Sequence, residues 1–303
     1  MSAVATENNT FMSVKQVAEY LHLNEKKIYT LVNNGHIPAT KVTGKWMFPR
    51  ELIDRWMHNS AHGGLLTDRL IIAGSDDPLL YRIIQEFAQE TGNHALISYT
   101  PTGTRLGLDL LQSNRVDVCA LHWGPDSESY LRHPALLKQY SQFRQWVLIR
   151  AFQREQGLMI KPSLKHKISN LEDLFSPQYR WVSRQNGSGA HRFLLEVLSK
   201  YNKNYDCLNS ISHAFSEREA AAEIAMDQAD VSAGAHSAAV EYGLEFIPYG
   251  WESFDLALPR SIWFRRLFQD LINRLKSRSC HNLIEKLPGY DLSEAGILVW
   301  GED

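Results

Sequence analysis

The chain has 303 residues, 44% hydrophobic and 22% charged, with a formal net charge of −2 at pH 7. That is chain enough for about two domains and a sizeable core, with the make-up of a soluble globular protein. The slight acid excess excludes a chain coated in basic residues but leaves room for a local basic patch. No uninterrupted apolar run reaches the ~18 residues of a membrane span. The polar start Met1–Thr10 has no signal-peptide core. Cys119, Cys207 and Cys280 form an odd, unpatterned set that fits a reduced, cytoplasmic setting.

Residues 1–11 read as a disordered tail. Ser13-Val-Lys-Gln16 is a capping box, in which a hydroxyl and an amide side chain satisfy orphan helix-start N–H groups reciprocally. The helix it opens carries Val14, Val17, Ala18 and Leu21 on one face. Asn24 caps a second helix, with Ile28, Leu31 and Val32 inward and Lys26, Lys27, Thr30 and Asn33 outward. Gly35 falls at its C-cap, and Pro38 stops continuation. Thr40–Val42 and Trp46–Phe48 read as short strands joined at Thr43-Gly44-Lys45. Pro49 then opens a third helix with Leu52, Ile53 and Trp56 as its buried side. Two short helices, a turn, a hairpin and a third helix make a winged helix-turn-helix layout over residues 12–58.

Met1–Ser60 holds seven Lys/Arg (15, 26, 27, 41, 45, 50, 55) and five Asp/Glu (7, 19, 25, 51, 54), a small positive balance in an acidic chain. Lys26, Lys27, Lys41, Lys45 and Arg50 fall on the second helix, on the wing or beside it, where they suit duplex phosphates. Lys26, Lys27, Tyr29 and Thr30 are the candidates for base edges. The alternative is a solvated basic face, and Glu25 beside the lysines departs from an ideal DNA-facing helix. The order of residues here resembles the excisionase and MerR-type DNA-binding domains. The matching pieces are Ser13–Leu21, Ile28-Tyr29, Asn34–Pro38, Val42–Trp46 and Phe48–Trp56. That resemblance implies a second helix in the major groove and a wing on the flanking backbone. Residues 59–67, with Gly63-Gly64, read as a linker.

From residue 68 onward strands and helices alternate. Leu70–Ala73, Ala95–Thr100 and Val116–Leu121 read as strands. Asp77 caps and Pro78 starts the first helix between them, and Thr104 opens the second. Such alternation means parallel strands with right-handed crossovers, and ligands bind outside the strands' carboxyl ends. Residues 125–140 read as irregular. Gln145–Phe152 and Gly157–Lys161 read as two strands, Leu171–Phe175 as a short helix. Trp181–Ser183 is a strand feeding a Gly-rich turn, Arg184–His191, and a helix with Leu194, Val197, Leu198 and Tyr201 on one face. Ser216–Glu219 is another capping box. Ala229–Gly234, Leu244–Pro248 and Phe254–Leu258 read as strands. Residues 261–275 form a helix with Phe264 on its apolar face, followed by a short helical piece and a tail.

The turn at Arg184–His191 is the sharpest feature. Gly187 and Gly189 allow close approach of backbone, and helix-start N–H groups attract anions. An ordinary Gly-rich strand–turn–helix connection remains the alternative. Gly74–Pro78, Thr104–His122, Arg184–Gly189, Ala229-Asp230 with Gly234 and Ala238-Ala239, and Phe246–Pro248 with Glu252 and 255–259 together resemble a periplasmic-binding-protein-like domain. This is the kind fused to excisionase-type DNA-binding domains in bacterial regulators, and it is similar to the type II molybdate and tungstate group. The resemblance implies an α/β fold with a winged helix-turn-helix followed by a two-lobed type II domain over 68–303. Lobe I would comprise about 68–147 and 240–303, and lobe II about 148–239, hinged near 145–152 and 235–250. A small anion would be held in the cleft by Ser75, Thr102, Thr104, Arg184, Ser188 and Ser237. Asp76-Asp77 reads first as a helix cap.

Catalytic signatures are missing. Gly187-Ser188-Gly189 is not a nucleophile elbow, there is no zinc spacing, and Gly44-Lys45 is no phosphate loop. His122, His191 and His236 approach one cleft only by the fold argument. The expected protein is therefore no enzyme and needs no cofactor. The two resemblances imply instead a cytoplasmic regulator that would bind double-stranded DNA and sense a molybdate- or tungstate-like oxyanion, and the geometry of repeated half-sites predicts a homodimer. The rival readings are a DNA-binding protein whose large domain is a ligand-free oligomerisation scaffold, and a binding protein whose N-terminal domain contacts protein.

Overall fold

The computed structural model describes residues 10–34, 37–60 and 69–301, in two compact units, one within Met1–Asp68 and one within Arg69–Asp303. Most of the expected tail, the Gly35 cap and most of the 59–67 linker lie outside the described residues.

The first unit runs β1 (Phe11–Ser13), α1 (Val14–Tyr20), α2 (Glu25–Asn33), β2 (Thr40–Val42), β3 (Lys45–Pro49) and α3 (Arg50–Ser60). The Ser13–Gln16 capping box forms with both bonds, and Asn24 Oδ1 accepts from the Lys27 N–H at 2.7 Å. Met12, Val17, Ile28, Val32, Phe48 and Ile53 make its core. Two details differ from expectation. The segment before α1 is a strand, because β1 pairs antiparallel with β3 and turns the hairpin into a three-stranded sheet. Leu52 faces outward, leaving Ile53 and half-buried Trp56 to pack α3 against the core.

The second unit is built on one ten-stranded sheet. Its strands and helices in chain order are β4 (Arg69–Gly74), α4 (Pro78–Thr91), β5 (Leu96–Pro101), α5 (Thr104–Gln112), β6 (Val118–Leu121), α6 (Ser129–Leu137), β7 (Trp146–Ile160), β8 (Arg180–Arg184), α7 (Gly189–Lys200), β9 (Asn209–Ala214), α8 (Glu217–Ala225), β10 (Val231–Ala235), α9 (His236–Glu241), β11 (Glu245–Pro259), α10 (Arg260–Trp263), α11 (Arg266–Leu275), α12 (Arg278–Ile284), β12 (Tyr290–Asp291) and β13 (Leu298–Gly301). The sheet order is β5-β4-β6-β11-β7-β10-β8-β9. β4 lies parallel between β5 and β6, and β8 lies parallel between β9 and β10, as strand–helix–strand alternation requires.

The long antiparallel pair β7–β11 joins these two groups into a two-lobed α/β body. Each of these strands has 15 residues where two shorter ones were expected. The expected breaks, Gln153–Gln156 and Tyr249–Ser253, are polar, and polar runs signal loops. Here the strands continue because Arg154, Gln156, Glu252 and Ser253 are buried. The β6 side of the pair uses Asp255–Ala257, and the β10 side uses Gln156–Ile160. The lobes therefore divide inside β7 and β11 themselves.

Other expectations also change. Residues 129–137 form α6, with Ser129 and His133 buried. The 261–275 helix is broken into α10 and α11, and Phe264 at the break is 79% exposed. The expected tail supplies β12 and β13, both paired with β7. β9, unexpected from its polar sequence, is the outer strand of its lobe. Apolar clusters fill both lobes, one around Leu80, Ile83, Phe152 and Phe268, another around Leu158, Trp181, Leu194 and Val197.

Candidate functional site in the cleft between the lobes

The carboxyl end of β4 passes into Ser75-Asp76-Asp77 before α4, and on the other lobe β9 passes into Phe215-Ser216 before α8. These turns meet around Arg154 of β7. Arg154 Nη1 donates to Asp77 Oδ2 at 3.0 Å, Nη2 to Glu217 Oε1 at 2.8 Å, and Nε to Glu252 Oε1 at 2.8 Å. Its side chain is fully buried. Charge-assisted bonds of this kind satisfy a buried guanidinium where water is missing. His122, at the end of β6, places Nδ1 2.7 Å from Glu252 Oε2. Burial works against the Glu252 carboxylate, but His122 and Arg154 outweigh it and hold it below the usual range. Burial pushes the Asp77 carboxyl up, and Arg154 pulls it only partly back.

Beside this cluster, Arg218 of α8 grips Asp76. Its Nη2 donates to Asp76 Oδ1 at 2.8 Å, and its backbone N–H to Oδ2 at 3.2 Å. Asp77 Oδ1 accepts from the Leu80 N–H at 2.8 Å, so it does cap α4. Asp76 has a different role and pairs across the cleft.

Two neighbouring turns also touch. The Arg105 N–H of α5 donates to Gly187 O at 3.2 Å. A side chain on Gly103, whose φ is +77°, would strike Gln185 Nε2, and one on Gly189 would overlap the His122 ring. Glycine is what lets these turns from opposite lobes meet.

The six residues expected to hold an anion are distributed around this region. Ser75 Oγ lies 2.9 Å from Thr104 Oγ1, both buried, and Thr104 Oγ1 donates to His122 O at 3.2 Å. Ser188 is buried and caps α7, accepting from the His191 N–H at 3.1 Å. Ser237 Oγ lies 2.7 Å from the Tyr290 hydroxyl, which donates to Asp77 Oδ2 at 2.9 Å. Thr102 is half-buried, and its hydroxyl turns to Gly103 O at 3.3 Å.

Arg184 differs from the rest. It is 4% exposed, its Nε donates to Ala214 O at 3.3 Å, and its Nη1 has no hydrogen-bond partner among the described residues. Burial pulls this guanidinium down from the ordinary arginine range, against the fields of Glu217 and Asp76. The three histidines separate. His122 joins the cluster, His236 pairs with Glu155 at 2.7 Å, and His191 packs against Tyr205 with the rings tilted by 51°.

The residues missed from sequence are Arg154, Glu217, Arg218, Glu252 and Tyr290. A legible signal was the polar tetrad Gln153–Gln156, with Arg154 and Glu155 at its centre, set between two apolar strand halves.

In the first unit, Lys26, Lys27, Tyr29, Thr30, Lys41 and Lys45 are exposed. Thr30 Oγ1 donates back to Lys26 O at 2.9 Å, Lys41 lies over the Trp46 ring, and half-buried Arg50 lies over Tyr20. No described helix of the chain is long and apolar enough to cross a membrane.

Comparison with known proteins agrees with this architecture. A helix-turn-helix domain model matches residues 11–60. The uncharacterized protein YvgK of Bacillus subtilis is 22% identical over 306 residues, covering 95% of this chain and 97% of its own length. Among solved structures, one described as a phosphate ABC transporter substrate-binding protein from Clostridium perfringens, with bound phosphate, is similar at a TM-score of 0.51 and 12% identity. It covers 76% of this chain and 100% of its own. The tungstate ABC transporter structure from Geobacter sulfurreducens follows at 0.49 and 14% identity, over 72% of this chain and 97% of its own. A PBP superfamily domain model matches residues 85–276, most of the two-lobed body, and the chain belongs to that superfamily.

Proposed function

We propose that the chain is a cytoplasmic, ligand-responsive transcriptional regulator: its helix-turn-helix unit binds double-stranded DNA, and its two-lobed domain takes a small anion. The observation that carries the anion is Arg184, a guanidinium buried at the carboxyl end of β8 with one donor nitrogen unused. Burying a charge without a partner is costly, and an acceptor from a guest removes that cost. Ser75, Thr104 and Ser188 offer hydroxyls, with Thr102 and Ser237 toward the margins, and the first turn of α7 offers N–H groups. A tetrahedral oxyanion such as molybdate or tungstate suits these donors. Phosphate belongs in the same trial set, since it is bound by the similar protein from Clostridium perfringens.

Lys26, Lys27, Tyr29 and Thr30 would meet base edges, and Lys41, Lys45 and Arg50 phosphates. A homodimer would present two such units to half-sites about 34–36 Å apart. The guest would act by binding two lobe arrangements with different affinity.

Isothermal titration with molybdate, tungstate, sulfate and phosphate tests the reading. Heat with one anion, lost in Arg184→Gln, is the expected result. No heat and no thermal shift with any of them would favour the ligand-free scaffold. That rival gains some support from the cleft carboxylates, whose charges are already met within the chain.

A further inference from the structure

We propose that Asp76 and Arg218, backed by Arg154, form a latch through which the chain closes its own cleft without an outside charge. Asp76 follows β4 in the first lobe, and Arg218 stands in the first turn of α8 in the second. Arg218 donates to the Asp76 carboxylate from Nε, from Nη2 and from its own backbone N–H. The carboxylate thus sits where a free anion would sit at the start of α8, and it is tethered to the opposite lobe. Arg218 also lies over the Tyr81 ring of α4, with its centre 3.7 Å from the ring centroid. The neighbouring residues repeat the pattern. Asp77 of the first lobe and Glu217 of the second are both bound by Arg154 on the shared strand β7. Two adjacent residues on each lobe therefore answer two on the other, with opposite charge or through one guanidinium.

Outside the cluster, Arg82–Glu241 and Arg132–Glu196 also join helices of the two lobes, but each has a partly exposed partner. Such pairs contribute little. The Asp76 side chain is 0% exposed and that of Arg218 18%, so loss of their bond, unlike loss of those two pairs, leaves a buried carboxylate unpaired.

The latch stands independently of which guest the domain takes. Its test is hydrogen exchange on the full chain with no anion added, for wild type, Asp76→Asn, Arg218→Gln and the double variant. The readout is amide exchange in peptides covering 102–107 and 186–190, where the Arg105 N–H reaches Gly187 O across the cleft. Each single variant should speed exchange there by about tenfold or more, the loss expected for a charge-assisted bond. The double variant should be no faster than the singles, while core peptides of β4 and β8 stay protected. If Asp76→Asn loosens the whole chain, Arg218→Gln, at the more exposed partner, decides. Wild-type exchange at 102–107 and 186–190 in Arg218→Gln, or a rise confined to 75–81 and 216–220, would overturn the latch.

Discussion

Arg154 and Glu217 are 63 residues apart in sequence and face each other through two parallel bonds, Nη2 to Oε1 at 2.8 Å and Nη1 to Oε2 at 3.2 Å. Arg154 belongs to a strand shared by both lobes, and Glu217 opens α8 of the second. The same carboxylate accepts from the Ala235 N–H at 3.2 Å. One fork-to-fork pair thus ties the shared strand to the ends of β10 and α8. Asp77, Glu252 and the Asp76 carbonyl take the remaining donor positions of the guanidinium.

Removing the centre of this cluster leaves three carboxylates without their shared cation. Arg154→Met should destabilise the two-lobed unit by about 3–5 kcal/mol, as for a broken buried pair. Urea unfolding followed by tryptophan fluorescence measures it. A loss under about 1 kcal/mol would mean that water already reaches these groups.

Arg184 should behave in the opposite way. Its Nη1 is unpaired among the described residues, so Arg184→Gln should leave the melting temperature unchanged or raise it. The same substitution should weaken the best anion by about 1.5–3 kcal/mol, roughly ten- to a hundredfold or more in Kd. Equal losses of stability and binding would recast Arg184 as a structural residue.

On the helix-turn-helix unit, Lys26→Ala and Lys27→Ala should separate phosphate from base contacts. A lysine on a phosphate lowers affinity for all sequences alike and reduces the slope of log K against log salt by about one. A lysine on a base edge instead relaxes preference at one position. Binding isotherms at several salt concentrations, on specific and random duplexes, distinguish these. Unchanged isotherms in both variants would remove α2 from the interface.

His191 predicts a pH dependence. Burial, helped by the nearby His213, lowers its pKa below the ordinary 6.5. The folded state therefore prefers the neutral ring. The stability this gives is complete above the unfolded value and is lost as pH falls through the lower folded one. Melting temperature should decline on acidification below 6.5, and His191→Gln should flatten that decline. An identical profile in the variant would assign the acid sensitivity elsewhere.

The sequence by itself determined the local structure and the order of the domains. The Ser13 and Asn24 caps, the Asp77-Pro78 helix start and the Gly-rich turn into α7 are set by hydrogen bonds and dihedral preferences within a few residues. Such short-range signals survive without knowledge of the partner. Tertiary structure alone decided what the polar residues of the long strands do. Gln153–Gln156 and Glu252-Ser253 read as loop because polar groups belong in water unless paired. The pairs for Arg154 and Glu252 come from residues 63 to 130 positions away, just beyond β4 and β6, in β7 and β11 and at the start of α8. Whether a charge can be buried depends on which distant groups the fold brings to it. For the same reason Asp76 looked like part of a cap from its neighbours. Only the packing of α8 against the end of β4 made it the partner of Arg218.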